Sequence, residues 1–181
     1  MRHTTSRQTH ILQRGAALIT SLVILLVLTV LGISAMKSSN LQENIVGNLR
    51  DHDLAFQAAE TGLRAAEGSL DAIVTIPVPD DSGTNGVYSR NYFYNNFGAM
   101  NSLAYNTGVW SSATVYATPL PEVSANPSYL TEFEQKIADD LDPESAAKGK
   151  GRYYYRITAR GFGSSQHSAI LLQEVYGIRR N

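Results

Sequence analysis

The sequence has no cysteine. Disulfides, thiol catalysis and cysteine-bearing zinc sites are excluded together, so packing alone must hold the fold, even in an oxidising compartment. No acidic residue precedes Glu43, no proline precedes Pro77, and no charge of either sign lies within residues 15–36. Tyrosine is missing from residues 1–87, and all ten lie at or after Tyr88. The few histidines are His3, His10, His52 and His167, and the first two fall in the extreme N-terminal stretch, so no ligand cluster is expected. There is no GxSxG, Walker or HExxH sequence. With no catalytic constellation, the chain reads as a non-enzyme that needs no cofactor. A net charge of −1 gives no global drive toward nucleic acid, and none is expected as a partner.

What is present begins with a basic stretch carrying Arg2, Arg7 and Arg14, followed by the uncharged run GAALITSLVILLVLTVLGISAM. As a helix this run spans roughly 33 Å, about the thickness of a bilayer's hydrocarbon core. Arg14 and Lys37 bracket it, and the positive leader favours a cytoplasmic N-terminus with everything after Lys37 on the other side. The residues leave three fates open. A secretory signal would be cut near Gly32 and Ser34. An uncut anchor would keep its leader. A cut between Gly15 and Ala16 would remove residues 1–15 and keep the helix.

A stripe, apolar but for His52, then recurs at Ile45, Leu49, His52, Phe56, Ala59, Leu63, Ala66, Leu70 and Ile73, at spacings of three and four. Gln42, Glu43, Arg50, Asp53, Gln57, Glu60, Arg64 and Glu67 fall mostly off that stripe. This is the pattern of an amphipathic helix. One helix is therefore expected from about residue 16 to about residue 73, with a transmembrane half over 16–36 and an amphipathic half over 37–73. Ile45, Leu49, Phe56, Leu63 and Leu70 are its expected contacts with a sheet.

Pro77, Pro79 and the run Asp80-Asp81-Ser82-Gly83 end the helix. Residues 74–181 form the expected β-rich domain. Strands are predicted over 87–93 and 109–118, and a short helix over 133–141. Residues 153–160 and 168–178 alternate and favour strand, and the connection 161–167 is rich in Gly and Ser, so the pair reads as a hairpin. The fold class is α+β, a long helix packed on a small antiparallel sheet.

The segment QRGAALITSLVILLVLTVLGISAMKSSNLQENIVGN, followed by LAFQAAETGLRAAE, resembles type IV pilins, most of all the PilX-type minor pilins. The resemblance implies cleavage after Gly15 by a prepilin peptidase, N-methylation of Ala16, and an inner-membrane subunit whose domain is periplasmic until it enters a pilus. It implies as partners the membrane, the peptidase, the assembly machinery, other minor pilins and the major pilin. The function implied is assembly of a type IV pilus, in its initiating or tip complex. A tip pseudopilin of type II secretion and an anchored adhesin are the alternatives. The chain departs from most pilins at Thr20, the fifth mature position, where the family carries a glutamate thought to pair with a neighbour's amino terminus. It also lacks the proline that breaks many pilin helices. Gly32 and Gly47 are the expected weak points, each costing about 1 kcal/mol against alanine.

Other motifs carry bland and sharp readings. Asp80 and Asp81 are either a solvated turn or a weak calcium site. His52 reads as a partly buried, satisfied residue. Acids dominate residues 120–147 and bases residues 148–181, which reads as two self-compensating faces, as a docking surface between subunits or, least favoured, as a DNA-contacting patch at Arg179 and Arg180. Tyr92-Phe93-Tyr94 and Tyr153-Tyr154-Tyr155 should each divide between core and surface.

Overall fold

A computed structural model describes residues 13–98, 107–139 and 149–180. Helix α1, Gln13–Asp71, runs for 59 residues without interruption, as the absence of proline allows. The chain divides into two compact units, Met1–Gly47 and Asn48–Asn181. In the first unit the described residues are helical, and the side chains from Ala16 onward are exposed.

In the second unit the elements after α1 are α2 (Tyr92–Phe97), α3 (Thr107–Trp110), β1 (Thr114–Val115), β2 (Ser128–Ile137), β3 (Gly151–Phe162) and β4 (Ala169–Arg180). Among the described residues the strands form one antiparallel sheet in the order β1-β2-β3-β4. The hairpin predicted at the C-terminus is β3–β4, paired from Gly151↔Arg180 to Phe162↔Ala169. Its strands are longer than the alternation suggested, because they continue through Phe162 and leave a shorter connection.

The two-residue period of the strands divides the sheet between two cores. One face carries Tyr153, Tyr155, Ile157 and Ala159 of β3, which pack with Leu63, Ala66 and Leu70 of α1. A fully buried side chain such as Ile157 or Leu70 contributes about 1.5–3 kcal/mol. The other face carries Leu130 of β2 and Leu171 of β4, which pack with Tyr88, Phe93, Val109 and Trp110. Tyr153 and Tyr155 are buried and Tyr154 is half-buried, as strand alternation requires, while in the helix α2 Phe93 is buried and Tyr94 exposed.

Several expectations are corrected. Residues 133–137 are strand and not helix. They pair with β3 through Phe133↔Tyr155 and, beyond a bulge, Gln135↔Tyr154, and cross-strand packing outweighs the local helical pattern. Residues 140 and 141 of that predicted helix lie outside the described residues. Over 87–93 there is no strand ladder: Tyr88 makes isolated parallel bridges to Asp80 and Glu132, and α2 begins at Tyr92. Within 109–118 only Thr114–Val115 is strand. His52 is exposed rather than partly buried.

Ile45, Leu49 and Phe56 are not buried. They are 49%, 60% and 45% exposed, whereas Leu63 and Leu70 are 8% and 2% exposed. The sheet-facing stripe is made of small residues, Ala55, Ala58, Ala59, Gly62 and Ala66, with the two leucines among them. Small side chains let the helix backbone sit close to β3. At that distance the bulkier residues on the neighbouring line of the helix remain outside.

Candidate assembly interface

The stem of α1 has the composition of a surface meant to be covered. Residues 15–36 carry no charge, and Leu22, Leu25 and Leu31 are each at least 60% exposed. The segment Ala16–Asp71 is long and apolar enough to cross a membrane. Three of its hydroxyl groups are satisfied along the helix. Thr20 donates to the Ala16 and Ala17 carbonyl oxygens at 3.1 and 3.0 Å. Ser21 donates to Leu18 O at 2.9 Å and Thr29 to Leu26 O at 2.7 Å. Back-bonding of this kind lowers the cost of placing these three hydroxyls against an apolar surface. Gly15 and Ala16 lie in the helical backbone, and residues 1–12 lie outside the described residues.

In the domain, the end of α1 is capped from β4. Arg180 Nη2 donates to the Leu70 carbonyl at 3.4 Å and to the Ile73 carbonyl, filling the place of the missing next turn with a cation at the negative end of the helix. Tyr176 donates its hydroxyl to the Asp71 carboxylate at 3.0 Å, and that bond raises the phenol's pKa. Farther back along α1, the Asp51 carboxylate accepts from Ser164 and Ser165 of the β3–β4 connection. Those bonds, the Ser164 hydroxyl foremost, hold its pKa below the usual carboxylate range.

Acidic and basic segments compensate each other inside the domain. Arg156 of β3 lies 2.6 Å from Glu134 and 3.8 Å from Glu132 of β2, Arg90 lies 3.0 Å from Glu134, and Arg179 lies 3.0 Å from Asp139. Glu132 is almost fully buried, and its Oε1 accepts the Phe93 backbone N–H at 3.0 Å. Burial pushes its carboxyl up, against the pull of that bond and of Arg156. These contacts support the self-compensating reading of the charge pattern; Asp140, Asp142, Glu144 and Lys148 lie outside the described residues.

The Asp80 side chain serves a turn. Its Oδ1 accepts the Ser82 and Thr84 N–H groups at 2.8 and 3.1 Å, and the Thr84 bond lowers its pKa most. Asp81 is exposed, and among the described residues no three His, Asp or Glu side chains stand together as metal ligands. Among the described residues the arrangement offers surfaces and clamps.

Two family models match the chain: PilX N-terminal over residues 14–64, and type IV pilus assembly protein PilX C-term over residues 75–178. The chain belongs to the PilX family. It is a minor pilin of type IV pilus assembly, a structural component that associates with other parts of the pilus, and its apolar N-terminal helix fits a membrane-anchored pilin. No curated protein and no solved structure matches significantly. The N-terminal match ends at residue 64, within the small-residue stripe of this minor pilin. The C-terminal match begins at residue 75 and takes in all four strands up to residue 178, two short of the end of β4.

Sequence reasoning located the stem and the hairpin but missed the clamps of this pilin. Asp51, Ser164 and Ser165 carried no motif. Gly161 and Gly163 passed only as part of a Gly/Ser-rich connection, yet each marks a close approach to α1: a Cβ at Gly161 would overlap the backbone of Ala55 and Ala59, and one at Gly163 would overlap Asp51. The available signal was the recurrence of alanine and glycine at 55, 58, 59, 62 and 66, which announces a close helix contact.

Proposed function

We propose that this minor pilin is cleaved between Gly15 and Ala16, is methylated on Ala16, spans the inner membrane through residues 16–36, and works in the initiating or tip complex of the pilus. Its N-terminus faces the cytoplasm and the domain, residues 74–181, faces the periplasm until assembly. Prepilin peptidase, the assembly machinery, other minor pilins and the major pilin are its partners. It acts by assembly and not by catalysis. The positive leader and the apolar stem support the orientation.

The observation that carries the position in the filament is Thr20. Its side chain is neutral, and its hydroxyl is spent on the Ala16 and Ala17 carbonyls of the same helix. A subunit repeated along an apolar filament core needs an anion beside each buried amino terminus, because an unpaired buried charge costs several kcal/mol. A subunit used once per filament, with nothing to receive, does without it.

Mass spectrometry of the membrane-extracted mature protein tests the processing. An N-methylated Ala16 is expected. An intact Met1, or a start near residue 35, would overturn the filament assignment. Gold labelling of intact pili tests the position, with label at filament ends expected and uniform label along the shaft decisive against it.

A further inference from the structure

Four hydrogen bonds converge on Asp51. Its Oδ1 accepts the Ser164 N–H at 2.5 Å, the Ser164 hydroxyl at 2.7 Å and the Ser165 N–H at 3.3 Å, and its Oδ2 accepts the Ser165 hydroxyl at 2.8 Å. Gly163 makes the approach possible, since a Cβ there would overlap the Asp51 carboxylate and carbonyl oxygens. The Gly163 carbonyl accepts the Ser124 N–H at 2.7 Å, which ties a second loop to the same point. Beside it, Arg50 Nη2 meets Glu122 Oε2 at 2.9 Å, and Glu122 is held at φ 64°, a left-handed conformation uncommon for any residue but glycine. The Arg50–Glu122 pair is open to water on both sides and contributes little. The bonds to Asp51 are charge-assisted and form the stronger tie.

One turn farther along α1 the attachment changes in kind. Ala55 and Ala59 press their backbone against Gly161, and Gly62 sits where a Cβ would come within 3.3 Å of Ala159 and Pro127. Ala55, Ala58, Ala59, Leu63 and Ala66 are buried, whereas Arg50, His52 and Asp53 are exposed. The first attachment is polar and lies at the surface, where water can replace each serine donor. The second is close-packed and opens only with the core.

We infer that Asp51 with Ser164 and Ser165 is a latch, separate from the packed contact at Gly161, which holds residues 48–54 of the helix on the domain and can open while the rest stays folded. Release runs back to Ala55 and stops there. In a pilin this fixes how much helix the domain yields when a neighbour competes for it. That purpose rests on the filament reading; the latch itself does not.

The test is hydrogen–deuterium exchange of the full chain in detergent, comparing wild type, Asp51→Ala and the double variant Ser164→Ala/Ser165→Ala. In both variants the amides of residues 48–54 and 163–168 are expected to exchange at least about tenfold faster, with residues 55–71 and β3 protected as in wild type. Asp51→Asn is expected to fall between, because its amide group keeps one acceptor oxygen and loses the other. Unchanged exchange over residues 48–54 in both variants would overturn the latch. So would an equal loss of protection through residues 55–71 and β3, which would make Asp51 a support of the whole domain. Since piliation is not the readout, failure of the filament reading leaves this result standing.

Discussion

Gly161 of β3 lies against the backbone of Ala59 with no room for a methyl group between them. The contact sets the spacing of α1 from the sheet, so Gly161→Ala must push the helix out or bend the strand. Overpacking of this kind costs typically about 1–3 kcal/mol, and here the obstructing atoms are backbone, which cannot swing aside. A loss of about 3 kcal/mol is expected by urea denaturation. A variant as stable as wild type would show that α1 is not seated on Gly161.

Glu132 is the most deeply buried acid among the described residues, and the Phe93 backbone N–H donates to it at 3.0 Å. Arg156 is too far away, at 3.8 Å, to offset the burial fully. Glu132→Gln keeps an oxygen for Phe93 and removes the charge, so stability at pH 7 is expected within about 1 kcal/mol of wild type. Glu132→Ala strands the Phe93 N–H and leaves a void, for an expected loss of about 2–3 kcal/mol. The pH dependence has a definite sign. The folded-state pKa is raised, so the carboxyl's contribution is fully present below the ordinary carboxylate pKa and is lost as pH rises through the folded value. Glu132→Gln should therefore gain on wild type as pH rises above about 4. Equal pH profiles would remove the argument.

The long helix and the terminal hairpin were legible because each is local: an unbroken apolar run without proline, and two alternating segments around a Gly/Ser connection. The middle of the chain was not. Residues 133–137 carry an apolar spacing compatible with a helix, and only pairing with residues distant in sequence, Tyr153–Tyr155, makes them strand. The face of α1 was half legible. The large residues drew the stripe through Ile45, Leu49 and Phe56, but at a close crossing the small ones, Ala55, Ala59 and Gly62, decide which line is buried. Asp51 could not be found in advance, since its partners lie more than a hundred residues away and consist of two ordinary serines.

Trp110 is the only tryptophan and reports on the second core cluster. The Arg160 guanidinium lies over its ring at 4.5 Å and over that of Phe162 at 4.7 Å, and burial lowers its pKa. A cation held between two rings and partly shielded from water is worth roughly 1–2 kcal/mol. Arg160→Ala is expected to cost about that much and to shift the Trp110 emission to the red as the ring gains water. Arg160→Lys should recover part of the stability but not the emission, because an ammonium does not stack as a plane. An unchanged spectrum in Arg160→Ala would show that the guanidinium does not shield the ring.

Acid should loosen the domain at Asp51. Its folded-state pKa is lowered, so its contribution is fully present above the ordinary carboxylate pKa and is lost as pH falls through the folded value. Glu132 titrates with the opposite sign, which makes the difference between wild type and Asp51→Asn the informative quantity. That difference, read by urea denaturation, is expected to be constant between pH 5 and 7, by way of the ordinary pKa of about 4, and to shrink below it. A difference independent of pH would mean that the carboxylate's charge plays no part in the tie to Ser164 and Ser165.

Thr20 gives the most direct handle on filament position. Its hydroxyl turns back on its own helix, and Thr20→Val removes those two bonds while keeping the shape. An exposed local bond of this kind contributes a few tenths of a kcal/mol, so Thr20→Val should leave pilus number and end labelling unchanged. Thr20→Glu introduces the carboxylate that repeated pilins carry. In an apolar environment that charge is tolerated only beside a cation, and the amino terminus of an adjoining subunit is the cation the resemblance provides. Gold labelling is expected to move from the filament ends to positions along the shaft. Labelling that stays at the ends in Thr20→Glu would show that the fifth position does not set where this subunit enters, and would shift that role to the domain.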